Sequence, residues 1–299
     1  MDEAISKELL KTANQSGFPF QIGVRNEIER TISEHGWNIV AEEYPWTHSI
    51  GGKSGFIDLL AEHKSYIFSL VIECKRVRSK DRNAAQGPSW VFLTPRDYTA
   101  TQSRLSGFMT HKLHEPRRTD VPATPRPDLW GWADAIAFNP PAPESSYCLF
   151  ETQDEKNPTI ERIADTLLPS VEAVGKQWFT FRHVSIGTRR LFLPVIVTNA
   201  TLYTCTFDAE KVSIADGGLS HGDFQEVPIV RFRKGLAMGQ IGSGNASDFA
   251  DANRQQQSTL LIVNSSSLAS TLKQLELREE GKRSLWNAYE RLAPATAVD

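Results

Sequence analysis

The stretch SGFIDLLAEHKSYIFSLVIECKR, residues 54–76, decides the fold prediction. It contains two apolar runs, FIDLLAEH and YIFSLVIECKR, with a short polar connection between them, which is the pattern of two consecutive strands. The second run is the more apolar and is predicted to be central in a sheet. Asp58, Glu73 and Lys75 interrupt these runs. They are either solvated strand-end charges or members of a functional site.

The alternation of side chains along a strand places Glu73 and Lys75 on one face. If the HKS turn joins the two strands antiparallel, residue i pairs with a partner near 127 − i, and Asp58 faces roughly residue 69. A bulge or strand divergence would then be needed to bring Asp58 to Glu73. The pattern therefore permits a cluster of two carboxylates and one ammonium group without requiring it.

Hydrophobic periodicity extends the prediction outward from this hairpin. Helices are predicted over residues 3–14 and about 21–35, followed by a strand in WNIVAEEYPW. A segment rich in Pro, Arg and Trp follows the third strand and is predicted to be an insertion with short elements such as SWVFL and WADAIAF. In the remainder, Asn157-Pro158 is predicted to begin a helix, and strands are predicted in LFLPVIVTNATLYTCTF, QEVPIVRFRK and STLLIVN. A helix is predicted after the serine run, and a final helix in RSLWNAYERL. This order indicates an α/β fold with a mixed sheet, in three parts: 1–76, 77–145 and 146–299.

The motif IDLLA…LVIECKR resembles the D…(D/E)-x-K signature of the PD-(D/E)xK nuclease superfamily, the fold of many restriction endonucleases. The preceding IGVRNEIERTISEHGWNIVAEE resembles the first helix and first strand of that superfamily. Ile57 stands where the signature often has proline. The resemblance implies a three-layer αβββαβ restriction-endonuclease-like core with a mixed sheet and a long insertion after the third strand.

The same resemblance implies a site. Asp58 and Glu73, with the carbonyl of Cys74, would bind Mg²⁺ or Mn²⁺, cations that prefer oxygen ligands. Lys75 would serve the nucleophile and the transition state. The first helix of the family often supplies another acid, for which Glu27 is selected; the alternative is that this acid is missing and Gln21 occupies its place.

The distribution of charge favours a nucleic-acid partner, and the resemblance implies DNA before RNA. The chain has a formal net charge of −3, yet residues 75–126 hold eleven Lys or Arg against four Asp or Glu. The phosphate contacts expected from this segment are Arg76, Arg78, Lys80, Arg82, Arg117 and Arg118. A solvated loop is the alternative reading of the same charges.

Composition narrows the functional classes. The three cysteines form no C-x-x-C pair, which argues against a zinc site or a disulfide framework. No apolar run reaches the length of a membrane span, and the first residues lack an apolar signal core, so a cytoplasmic protein is expected. The sequence predicts a metal-dependent nuclease that hydrolyses phosphodiester bonds. A non-catalytic nucleic-acid-binding protein and a protein-interaction scaffold remain alternatives, and a homodimer is left open.

Overall fold

The computed structural model describes residues 3–47, 52–64, 68–77, 87–96, 105–111, 114–121, 144–145, 147–150, 160–180, 189–235 and 257–275. The helices are α1 (Glu3–Gln15), α2 (Phe18–Arg30), α3 (Ile32–His35), α4 (Ile160–Thr180) and α5 (Leu268–Gln274). The strands are β1 (Trp37–Thr47), β2 (Ser54–His63), β3 (Phe68–Lys75), β4 (Ser89–Pro95), β5 (Leu105–His111), β6 (His114–Val121), β7 (Glu144–Ser145), β8 (Tyr147–Phe150), β9 (Arg189–Thr198), β10 (Thr201–Phe207), β11 (Asp223–Glu226), β12 (Ile229–Gly235) and β13 (Gln257–Asn264).

The predicted second helix is divided in two. α2 ends at Arg30 and α3 begins at Ile32. Gly36 then closes α3 in the left-handed region, with φ 73°, and a Cβ there would lie 2.6 Å from the Lys64 side chain. This glycine turns the chain directly into β1.

The larger sheet is mixed, with the strand order β1-β2-β3-β9-β13-β12-β7. The first three strands form an antiparallel meander, and β9 joins β3 in parallel after a crossover that contains α4. Helices, three meander strands, a helix and a parallel strand thus follow in the expected chain order. β5 pairs with β9 beside β13, and β6 pairs with β5.

Helices cover both faces of this sheet. On β3, Leu70 and Ile72 pack with Val24 and Ile28 of α2 in one core cluster. Val71, which points to the other face, packs in a second cluster with α4. The protein is therefore a mixed α/β fold in which β3 is buried between helical layers.

A second, four-stranded mixed sheet has the order β11-β10-β4-β8. Its strand β4 contains the SWVFL run and lies parallel to β10. The segment 77–145 thus contributes strands to both sheets, because β5 joins β9 and β7 joins β12. The predicted strand QEVPIVRFRK is two strands, β11 and β12, divided at Val227–Pro228.

The WADAIAF element and the final RSLWNAYERL helix lie outside the described residues. Within the described ranges, no helix has the length and apolarity needed to cross a membrane.

Candidate metal centre at the β2–β3 edge

The β2–β3 register places Asp58 directly opposite Glu73. The pairs run from Glu62 with Ser69 to Leu59 with Ile72, so each residue i pairs with 131 − i. Continued by one position, this register aligns Asp58 with Glu73. The expected register near 127 − i was wrong, because β2 continues to His63 and β3 begins only at Phe68, so the connection is centred two residues later than expected. No bulge in β2 or β3 is needed to bring the two acids together.

Short hydrogen bonds fix the three predicted site residues. The backbone N–H of Cys74 donates to Asp58 Oδ2 at 2.6 Å. Lys75 Nζ lies 2.6 Å from Glu73 Oε1, and these side chains are 33% and 19% exposed. Asp58, Glu73 and Lys75 are therefore half-buried neighbours on one face of the hairpin, as the alternation predicted for Glu73 and Lys75.

The site has more negative than positive charge. Burial, and next the neighbouring Glu73 carboxylate, raise the pKa of Asp58 from 3.8 to about 7. The Cys74 N–H and the Lys75 ammonium lower this pKa, but they do not outweigh the first two causes.

Glu43 of β1 is a third acid beside the pair, and the sequence analysis missed it. In the β1–β2 register, Glu42 pairs with Leu59 and Tyr44 with Ile57, so Glu43 falls opposite Asp58. Its φ is 48°, a conformation uncommon for a residue other than glycine. The proximity of Glu43 is a further, smaller cause of the raised pKa of Asp58.

Gln21, and not Glu27, is the α2 residue that reaches this site. Gln21 is 6% exposed, and its Nε2 donates to Glu43 Oε1 at 2.6 Å and to the Asp58 carbonyl at 3.0 Å. Glu27 instead accepts hydrogen bonds from Arg30, with 2.7 Å between Arg30 Nη2 and Glu27 Oε1. The selection of Glu27 is corrected accordingly, since its carboxylate is engaged on the helix surface six residues further along α2.

The carboxyl ends of the parallel strands β3 and β9 meet beside Lys75, the edge where ligands bind in many α/β sheets. Asn199, which follows β9, accepts from the Val77 N–H at 2.6 Å and donates to the Val77 carbonyl at 3.0 Å. Asn199 thereby fixes the chain two residues after Lys75.

The predicted phosphate contacts are only partly described. Arg76 is exposed, and its Nη1 donates to the Asn14 carbonyl at the end of α1. Arg78, Lys80 and Arg82 lie outside the described residues. Arg117 and Arg118 lie on β6 opposite Met109 and Phe108, and only their backbone is described.

The donor set fits an ion that keeps part of its water shell. Within the described ranges, no three His, Cys, Asp or Glu side chains are grouped closely enough to enclose a metal ion. Mg²⁺ is commonly bound by only one or two carboxylates together with waters and substrate phosphates. Asp58 and Glu73 meet that requirement, and the raised pKa of Asp58 is consistent with a place for a cation between them. The Cys74 carbonyl stays a prediction.

Searches against protein families, curated proteins and solved structures give no match for this chain.

Proposed function

We propose that this protein is a metal-dependent nuclease that hydrolyses phosphodiester bonds in DNA, on a restriction-endonuclease-like core. The supporting observation is the register that aligns Asp58 with Glu73 while Lys75 contacts Glu73. Apart from the five strands β4–β8, which lie between β3 and α4, the helices and strands also follow the αβββαβ order of that core. Two carboxylates and an ammonium group at one sheet edge are the groups that the D…(D/E)-x-K signature requires.

Asp58 and Glu73 would hold Mg²⁺ or Mn²⁺, with the Cys74 carbonyl as a third oxygen. Such a cation, when bound, lowers the pKa of a coordinated water and neutralises charge on the scissile phosphate. The Cys74 N–H keeps Asp58 Oδ2 in place, leaving Oδ1 available as a ligand. Lys75, held at Glu73, stabilises the negative charge that develops on the phosphate in the transition state.

A nucleic-acid substrate is supported by the charge distribution, and DNA in particular by the resemblance to restriction endonucleases. The chain leaves β3 directly into the basic residues 75–126, so the positive segment begins at the acidic pair. Phosphate contacts of this kind position a duplex but do not read its sequence.

A non-catalytic nucleic-acid-binding protein is the second candidate function. It is favoured by Gln21, a neutral amide where the resemblance leads us to expect an acid from the first helix. In that case DNA binding would be independent of metal and no cleavage would follow.

Plasmid cleavage separates the two candidates. Wild-type protein should nick plasmid DNA with Mg²⁺ and not with chelator. Lys75→Ala should reduce nicking on the order of 10²-fold or more, with little change in melting temperature or DNA affinity, because a lysine stem contributes little packing. Glu73→Ala should abolish nicking through the metal.

Equal nicking by wild type and Lys75→Ala would point to a contaminating nuclease and sink the catalytic assignment. A large fall in melting temperature for Lys75→Ala would make the Glu73–Lys75 contact a structural ion pair instead.

A further inference from the structure

Gln21 links three elements at the site. It lies in the first turns of α2, and its amide nitrogen bonds to Glu43 on β1 and to the Asp58 backbone on β2. Both partners are hydrogen-bond acceptors, which fixes the amide with its nitrogen toward the strands. Each of its two hydrogens therefore has one acceptor.

Glu43 holds the other end of this arrangement. Its carboxylate makes a charge-assisted bond to a side chain that is almost completely buried, although Glu43 itself is exposed. The positive φ of Glu43 persists only where surrounding contacts hold the residue, and such residues cluster at functional sites. The Gln21 amide contacts the Glu43 side chain from α2.

We propose that Gln21 and Glu43 are positioning residues for the Asp58–Glu73 pair. Glu43 orients the Gln21 amide, and the amide holds the Asp58 carbonyl, which sets where the Asp58 carboxylate lies against the Cys74 N–H. The inference rests on the proposed nuclease function and assigns to position 21 a role other than that of a metal ligand. Removing a residue that hydrogen-bonds to a metal ligand typically lowers metal affinity or activity about 10–100-fold.

Single variants give the size of the effect. Gln21→Ala should lower kcat for plasmid nicking about 10–100-fold and weaken Mn²⁺ binding by a similar factor, with KM for DNA unchanged. Glu43→Ala should act in the same direction and, being an exposed position, should leave the fold intact. Glu43→Gln should stay close to wild type, because a glutamine oxygen can still accept from Gln21. Gln15→Ala, on the exposed surface of α1, is the matched control.

An exchange of the two side chains separates positioning from mere stability. Gln21→Glu with Glu43→Gln restores one hydrogen bond between the side chains, but a carboxylate at position 21 cannot donate to the Asp58 carbonyl. With the bond between the two side chains restored and the Asp58 carbonyl still without its donor, kcat should stay low. Recovery of kcat together with the melting temperature would overturn the proposal.

Three further outcomes would also overturn it. Nicking by Gln21→Ala at the wild-type rate would remove the positioning role while the nuclease function stands. Tighter Mn²⁺ binding by Gln21→Glu would show that position 21 faces the metal as a ligand. A wild-type protein that binds no Mn²⁺ and cleaves no DNA would refute the nuclease function itself, and the positioning role with it.

Discussion

Two acids on β2, Asp58 and Glu62, have opposite electrostatic surroundings. Glu62 is ion-paired with Arg190 of β9, a guanidinium that is 6% exposed and lies 4.9 Å from the centre of the Trp178 ring. Asp58, four residues earlier on the same side of the strand, faces Glu73 instead, and its pKa rises to about 7.

The difference shows which acid has a counter-charge within the fold. The charge of Glu62 is neutralised within the fold, so this pair joins α4 and β9 to β2. The carboxylates at the other end of the strand have Lys75 as their cation, and it contacts Glu73 rather than Asp58. Acids that a fold leaves without sufficient counter-charge are typical of functional sites.

The largest expected effect is a loss of stability when the Glu62–Arg190 pair is broken. Arg190→Ala leaves Glu62 and the Trp178 face without their cation, and breaking a buried pair on one side costs about 3–5 kcal/mol. Urea unfolding should show this decrease in the free energy of unfolding. Arg25→Ala, which breaks the surface contacts with Glu29 and Glu42, is the control and should cost about 0–1 kcal/mol. Equal decreases in the two variants would show that the Glu62 end is not a structural pair.

Asp58→Asn is expected to increase the free energy of unfolding, whereas Arg190→Ala decreases it. The folded protein keeps the Asp58 proton up to about pH 7, whereas the unfolded chain releases it near 3.8. The folded state therefore holds more protons between these values, and stability falls as the pH rises through them. Without metal, Asp58→Asn should be more stable than wild type above pH 7, on the order of 2 kcal/mol, because the amide still accepts from the Cys74 N–H and carries no charge.

Thermal unfolding from pH 4 to pH 8 checks this prediction, with Asp165→Asn on the exposed surface of α4 as the control. The advantage of Asp58→Asn should shrink toward pH 4. A variant less stable than wild type at pH 8 would mean that the carboxylate at position 58 is neutralised within the fold, as it is at Glu62.

The smallest expected effect is on the salt dependence of DNA binding. It concerns the basic residues 75–126, which would bring DNA to Asp58 and Glu73. Removing one cationic side chain from a phosphate flattens the slope of log K against log[salt] by about 1 unit. Arg117→Ala with Arg118→Ala should therefore reduce the slope by about 2 units, similarly for unrelated DNA sequences. Fluorescence anisotropy over a salt series measures the slope, and an unchanged slope would remove this pair from the interface.

The sequence predicted the three meander strands and the charged residues on them, because alternation and apolar runs are local signals. The register was not predictable, since it depends on where the connection is centred, and a centre two residues later raises the pairing sum by four and moves Asp58 from residue 69 to Glu73. Glu43 was missed because nothing in the letters EEYP indicates a positive φ.

The pairing of strands far apart in the chain could also not be predicted from the sequence. The SWVFL strand is readable locally, but its parallel partner β10 lies over a hundred residues later. Likewise, the sequence offered Gln21 as the residue in place of a missing acid, whereas its two acceptors depend on how α2 packs against the meander.

Calorimetric titration with Mn²⁺ at pH 8 tests the central claim most directly, using wild type, Asp58→Asn and Glu62→Gln. The two variants make the same acid-to-amide change on one strand, at the end with excess negative charge and at the neutralised end. We predict that wild type and Glu62→Gln bind the ion alike and that Asp58→Asn binds it much more weakly. Unchanged binding by Asp58→Asn, or no binding by the wild type, would contradict a metal centre at Asp58 and Glu73.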